Sequence, residues 1–304
     1  MTSSDVRLDD KRRVTWGFAD HEHPVFAPDG KRLAYYAGAY GWIQLHLCGA
    51  DGLGARPLTC ARGNHTQPAW SPDGRHVYYR HQPAPDAPWS IWRVAADDPA
   101  DKACLLHDRK TSFKHPSVSP DGRWLAWFSD HGSPGNFHLW KARLAGARLA
   151  APRRLTGDRN RNDCHPTWSP DGRWLVFHAY MGAHEATTSH IFVCGADGEG
   201  VRRLTTTEAF HKHPFFVGRG LVVHHSEGPD GRRGLTLRRF DDGAAIGRLT
   251  SGKHNDKHPS PWVPARGPAR ICFASKRRGD AHEAEPDDSY DVFWGLLRGV
   301  AVRR

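Results

Sequence analysis

Short apolar runs, each closed off by turn residues or charge, recur at regular intervals along the chain. Six of them are equivalent: Leu33-Ala34-Tyr35-Tyr36, Val77-Tyr78-Tyr79, Leu125-Ala126-Trp127-Phe128, Leu175-Val176-Phe177, Leu221-Val222-Val223 and Ile271-Cys272-Phe273. Their length and their β-branched and aromatic content predict strands. Ahead of the first four stands Ala/Ser-Pro-Asp-Gly, beginning at Ala27, Ser71, Ser119 and Ser169. Pro presets φ and Gly accepts positive φ, so this phrase predicts a tight turn. A shorter run before the turn, such as Val25-Phe26, Ala69-Trp70 or Thr167-Trp168, predicts a preceding strand. After the central run a variable loop leads to a third strand, as at Ile43-Gln44-Leu45-His46-Leu47. A fourth ends in Leu-Thr, at Leu58-Thr59, Leu155-Thr156, Leu204-Thr205 and Leu249-Thr250.

This unit repeats along the chain. A His-Pro or Gln-Pro pair opens it at His23-Pro24, Gln67-Pro68, His115-Pro116, His165-Pro166, His213-Pro214 and His258-Pro259, with the prolines 44, 48, 50, 48 and 45 residues apart. Four antiparallel strands in such a period make a propeller blade. The expected fold is therefore all-β, a six-bladed β-propeller forming one domain over residues 1–304. The sixth unit has no convincing fourth strand, whereas Arg12-Arg13-Val14-Thr15 copies the phrase Arg203-Leu204-Thr205. Residues 11–16 are therefore expected to pair into the last blade, closing the ring and leaving no free sheet edge.

Composition narrows the class further. Twelve Trp, 13 Phe and 7 Tyr suit packed faces between blades. No apolar run approaches the ~18 residues of a membrane span. The N-terminus carries charge where a secretory signal needs an apolar stretch. The six cysteines contain no Cys-x-x-Cys pair and read as reduced thiols. A cytoplasmic protein is expected. The formal charge of +10 suits a polyanionic partner. Its arginines are scattered through turns and strand ends, which argues against nucleic acid, and no membrane contact is expected.

The chemistry lies in the 21 histidines. In a four-stranded blade, the loop into the first strand and the loop between the second and third emerge on one face, and most histidines sort onto it. The first strand is innermost, so the residues before the six prolines are expected at the mouth of the central channel. Alternation along an extended strand would bring His21 and His211 in beside His23 and His213. The arc of His165, His213, His258 and His23 is predicted to bind a divalent transition metal (manganese, zinc, iron or copper). Gln67, His115, His21 and His211 are further ligands. Any one such histidine could serve only to register the repeats; five in register favour a metal. The loops after the second strands add His178, His224, His225 and Arg80 as catalytic candidates. His81, Lys276, Arg277 and Glu227 are candidates for binding an acidic small molecule or oligosaccharide. No Gly-rich phosphate loop, serine nucleophile elbow or helical His-Glu-x-x-His is present.

The Ser-Pro-Asp-Gly-Arg phrases, the Trp-Leu-Ala or Trp-Leu-Val that follows two of them, and the Arg-Leu-Thr strand ends resemble the propeller repeat of the periplasmic protein TolB over nearly the whole chain. That repeat serves binding proteins and enzymes alike, so the resemblance leaves a non-catalytic protein- or peptide-binding role open. A narrower resemblance is to the oligogalacturonate lyases. His213-Pro214-Phe215-Phe216 followed by His225-Ser226-Glu227-Gly228-Pro229-Asp230 is similar to two of their segments, and Lys257-His258-Pro259 with His254 occupies the place of their last ligand cluster. The resemblance implies a cytosolic enzyme with a metal, usually manganese, held by histidines and a glutamine, and a further histidine and arginine acting in β-elimination. Ser226 is an insertion, so His224 or His225 is the counterpart of the loop histidine. That family has seven blades where six are counted here, and Gln67 lies in a different blade from its glutamine. The expected function is metal-dependent β-elimination on an acidic sugar-derived substrate, with metal-dependent hydrolysis of a lactone or ester as the alternative.

Overall fold

The computed structural model describes residues 6–17, 19–182, 188–228, 230–276 and 289–303. These form twenty-four strands and no helix, arranged as six four-stranded antiparallel sheets. The innermost strands, in blades 1 to 6, are His21–Phe26, Asn64–Trp70, Phe113–Val118, Arg161–Trp168, His211–Val217 and Lys257–Trp262. No helix among the described residues is long and apolar enough to cross a membrane.

Each Ser-Pro-Asp-Gly phrase folds as its chemistry requires. In blade 2 the Ser71 hydroxyl donates to Asp73 Oδ1 at 2.5 Å and accepts the His76 amide at 2.9 Å, while the Arg75 amide donates to the same carboxylate at 3.0 Å. Gly74 sits at φ 68°, open to glycine at no steric cost. Ser119 with Asp121 and Ser169 with Asp171 repeat these bonds. At Gly30 the constraint is tertiary as well, because a Cβ would stand 2.2 Å from the Trp262 ring of blade 6.

Tryptophans stitch the blades together. Trp70 Nε1 donates to Val25 O at 3.2 Å, Trp168 to Ser117 O at 3.0 Å, and Trp262 to Pro28 O at 3.0 Å, each linking the innermost region of one blade to its neighbour. Between them lie apolar seams such as Val217, Val223, Leu235, Leu237, Ile271, Phe273 and Phe293, all buried.

The ring closes through the N-terminal strand, Arg7–Arg13, which pairs antiparallel with Asp291–Arg298 as the outermost strand of blade 6. The strand thus lies earlier than the expected residues 11–16, because Val14-Thr15 plays the part of the Leu-Thr that follows the fourth strand elsewhere. In blades 1, 3, 4 and 5 the threonine hydroxyl accepts a third-strand amide: Leu45 N to Thr59, Leu139 N to Thr156, Ile191 N to Thr205 and Leu235 N to Thr250, at 2.9–3.1 Å. Thr15 accepts the Val292 amide at 2.9 Å in the same way and donates to Asp291 Oδ1 at 2.9 Å. Arg13 also pairs with Asp291.

Thr15→Val keeps the shape of the closing strand but leaves the buried Val292 amide without its acceptor. A loss of about 1–3 kcal/mol is expected from urea unfolding, with Thr59→Val costing a similar amount. A neutral Thr15→Val beside a costly Thr59→Val would show that closure adds nothing to stability.

Candidate metal centre

The centre is built by a backbone device repeated six times. His23, Gln67, His115, His165, His213 and His258 have φ of 48°, 56°, 49°, 54°, 51° and 54°. At every one of these positions the pairing of the innermost strand with the second slips, between Glu22 and Val25 in blade 1, Lys212 and Phe215 in blade 5, and their equivalents elsewhere. Each His-Pro or Gln-Pro is a bulge. Proline disfavours the right-handed helical region for the residue before it and has no N–H to forfeit from the ladder. A left-handed non-glycine residue costs of order 1–3 kcal/mol. The bulge re-aims the side chain, here toward the propeller axis.

Three of the six converge. The ligating nitrogens of His23, His213 and His258, from adjacent blades 1, 5 and 6, lie within 4.8 Å of one another. His23 and His258 stack at 3.6 Å between ring centres, and His213 stands edge-on to both, at 4.9 and 4.4 Å. Burial pushes all three imidazoles well below their ordinary pKa. Positive charge nearby adds to this, from His115, Arg80 and Lys257 at His23, from His165 and the other two ligands at His213, and from His23 and Lys257 at His258. They are neutral near pH 7, the form that binds a divalent ion. His165 stands beside them, 4.2 Å from His213 between ring centres, with its Nε2 3.3 Å from Gln67 Nε2. Buried Nδ1 atoms of His115 and His165, and Gln67 Oε1, have no hydrogen-bond partner. Neutral imidazoles with unsatisfied ring nitrogens are a donor set that fits a transition metal.

Above the ring opens a bowl of about 310 Å³, walled by Glu22, Tyr36, Arg80, Lys114, His178, Tyr180, Lys212 and Lys257. Its cations are each carried over an aromatic ring: Arg80 over Trp89 at 3.9 Å, Lys114 over Phe137 at 4.5 Å, Lys212 over Phe210 at 4.2 Å, and Lys257 over Tyr290 at 3.6 Å. Such contacts hold a cation in place without neutralising it. Lys114, Lys212 and Glu22 are not among the site residues expected from the sequence, and Lys257 entered there only beside His258. The signal was there: lysine fills the position immediately before the pre-proline residue in Lys114-His115, Lys212-His213 and Lys257-His258.

Several expected site residues lie elsewhere. His21 and His211 do not join the ring, because the bulge breaks the alternation that would have aligned them with His23 and His213. His21 Nδ1 faces Asp291 at 3.3 Å, and His211 Nε2 pairs with Thr207 Oγ1 at 2.8 Å. His224 is turned to the opposite side of its strand from His225, accepts Arg238 Nε at 3.1 Å, and is fully buried away from the bowl. His225 lies behind the ring rather than in the bowl, its Nδ1 3.4 Å from His213 Nδ1 and 3.4 Å from the His258 amide. His81 stacks on His65 at 4.4 Å in a separate small cavity of blade 2. Glu227 pairs with Arg233 at 3.6 Å and is not part of the bowl wall. Lys276 reaches the Tyr290 ring that Lys257 also uses. His115 lines the apolar funnel of about 370 Å³ with Trp70, Trp168 and Trp262, rather than the bowl. Arg277 lies outside the described residues. Arg80 and His178 stand in the bowl.

Fold and site together define a TolB-like six-bladed propeller with an axial histidine cluster able to hold a metal ion. Among solved structures it is similar to a putative TolB from Agrobacterium tumefaciens, with a TM-score of 0.56, 24% identity, and 75% of this chain and 78% of that one covered. It is similar also to the oligogalacturonate lyase of Vibrio parahaemolyticus (TM-score 0.58, 14% identity, 96% of each chain covered). A third neighbour is an oligogalacturonate lyase in complex with manganese (TM-score 0.56, 14% identity, 97% of this chain and 96% of that one). No protein-family model and no curated protein sequence matches the chain.

Replacing His213 and His258 together by alanine is expected to abolish retention of divalent metal while leaving the far-ultraviolet circular dichroism unchanged. Stoichiometric metal in that double variant, measured by elemental analysis, would contradict the assignment.

The buried histidines also set the response to acid. Burial lowers His65 and His211 to about 4 and His115 to about 3. The unfolded chain takes up these protons near 6.5, and the folded chain does not. Stability is therefore unaffected above pH 6.5 and falls as pH drops toward 4, by about 1.4 kcal/mol per pH unit for each such histidine. Urea midpoints of metal-free protein should decline across that window; a flat profile would mean that these rings protonate in the native state.

Proposed function

We propose that this propeller is a metal-dependent lyase that cleaves an acidic sugar-derived chain by β-elimination beside a uronate carboxylate. The observation that carries the reading is the neutral His23–His213–His258 cluster beneath a bowl walled by Arg80, Lys114, Lys212 and Lys257. The likeness in fold to oligogalacturonate lyases, one of them in complex with manganese, supports the same reading. His23, His213 and His258 would hold the ion, with His165 beside them. A bound divalent ion supplies Lewis-acid neutralisation of the substrate carboxylate, which acidifies the neighbouring C–H.

The chain's own groups do the rest. Lys114 and Lys212 would hold further carboxylates along the wall, while Lys257 is paired with Glu22. Arg80 Nε donates to Thr66 Oγ1 at 2.7 Å, and its guanidinium stays charged at any working pH, so it orients substrate and takes no proton. His178 stands in the bowl with its Nδ1 3.4 Å from the His213 amide nitrogen. An unprotonated His178 ring would take the C5 proton and, as the imidazolium so formed, return it to the departing glycosidic oxygen, which leaves the ring neutral again.

Elimination makes a conjugated unsaturated uronate, so short-ultraviolet absorbance should rise when uronate oligomers meet manganese-loaded protein. His178→Ala is expected to cut kcat by ~10²- to 10⁴-fold with little change in KM. Lys212→Ala should mainly raise KM. A broad panel of uronate oligomers giving neither absorbance change nor binding would remove the lyase reading.

A further inference from the structure

Glu22 is a carboxylate of the bowl wall that contacts Lys257, Tyr36 and His258. It stands on the innermost strand of blade 1, one residue before His23, and is 9% exposed. Its Oε1 accepts Lys257 Nζ from blade 6 at 2.7 Å, and its Oε2 accepts the Tyr36 hydroxyl at 2.8 Å. The same Oε2 lies 3.4 Å from His258 Nδ1, a buried ring nitrogen with no hydrogen bond of its own. Glu22 thus spans the seam between the first and last blades and faces the far nitrogen of a candidate ligand.

We propose that Glu22 is a positioning residue of the metal centre, fixing the ring and tautomer of His258 so that its Nε2 is offered to a divalent ion. This rests on the metal-binding reading of the triad. The chemistry is that of a carboxylate behind a ligating histidine: it accepts the Nδ1 proton, sets which nitrogen keeps a lone pair, and raises the basicity of the ligand. Two fixed donors hold the carboxylate before any ion arrives. Lys257 restrains one oxygen and Tyr36 the other, so the acceptor is oriented by groups from both sides of the seam. Among the described residues, His258 is the one member of the triad with a carboxylate oxygen within 4.0 Å of a ring nitrogen. His213 is backed by the His225 ring instead.

The test measures affinity for Mn(II) and Zn(II) by competition with a chromophoric chelator, and the absorption spectrum of Co(II)-loaded protein. It compares wild type, Glu22→Ala, Glu22→Gln and Lys257→Met. Glu22→Ala should weaken metal binding by about 10- to 100-fold and shift the Co(II) bands. Glu22→Gln, which can still accept from Nδ1, should lose less, and it carries the test if the alanine variant fails to fold. Lys257→Met keeps the carboxylate but removes one of its two restraints, and should lose less affinity than Glu22→Ala. Wild-type affinity and spectrum in both Glu22 variants would overturn the proposal. So would Lys257→Met reproducing the Glu22→Ala loss, because the ion pair and not the carboxylate–imidazole contact would then be responsible. Failure of the wild type itself to take up any ion would instead overturn the metal reading on which the proposal stands.

Discussion

Everything at the centre of this molecule depends on one backbone conformation, the left-handed residue before proline. In a continuous strand, pleating would send the histidine and its neighbours alternately to the two faces of the sheet. The slip in pairing after Glu22, Lys212 and Lys257 breaks that alternation and turns His23, His213 and His258 to the axis. Proline makes this tolerable because it has no N–H, so the slip in pairing forfeits no ladder hydrogen bond at that position. A strain of order 1–3 kcal/mol at each of six positions persists only where surrounding structure over-determines it. Here the tryptophan bonds between blades and the buried seams supply that constraint.

Packing six bulged side chains into one axial channel has an electrostatic consequence. Imidazoles a few ångströms apart and largely withdrawn from water cannot all be charged, so burial and mutual repulsion hold them neutral. The lysines and Arg80 of the bowl reinforce this, since each positive charge nearby further disfavours protonation of the ring below. A neutral nitrogen floor under a cationic wall is the outcome. Each of these cations lies over an aromatic face, a contact that restrains its position without removing its charge. The arrangement thus separates two tasks, lone pairs for a metal at the bottom and positive charge for carboxylates above.

Glu22 and Lys257 complicate that separation where the ring closes. Blade 6 borrows its outer strand from the N-terminus, and Thr15, Arg13 and Asp291 lock that strand in place. The Glu22–Lys257 pair crosses between blades 6 and 1 on the inner side. Blade 6 therefore carries polar ties at its outer edge, where the ring closes, and at its inner edge against blade 1, where the tie touches the candidate metal site.

Much of the architecture was legible in the residues themselves. Pro-Asp-Gly encodes its own turn, because its bonds run from Ser71 to Asp73 and His76 within five residues. The Leu-Thr phrase encodes a strand end, and its copy at Val14-Thr15 revealed the closure, although the paired strand ran earlier than the copy suggested. The ring of pre-proline residues was legible as well, since a period and a topology are enough to place it. Its inner geometry was not. The extended-strand rule put His21 and His211 in the ring, and only the bulge, a matter of pairing between strands distant from any local signal, excludes them. Which of His224 and His225 approaches the centre, and that Lys114, Lys212, Lys257 and Glu22 form the wall, was likewise decided by side-chain direction after the register slip. Local chemistry determined the turns, the blades and the count of axial histidines. Tertiary structure alone decided which of them meet, because their meeting depends on the closing of the ring and on the angle at which each bulge releases its side chain.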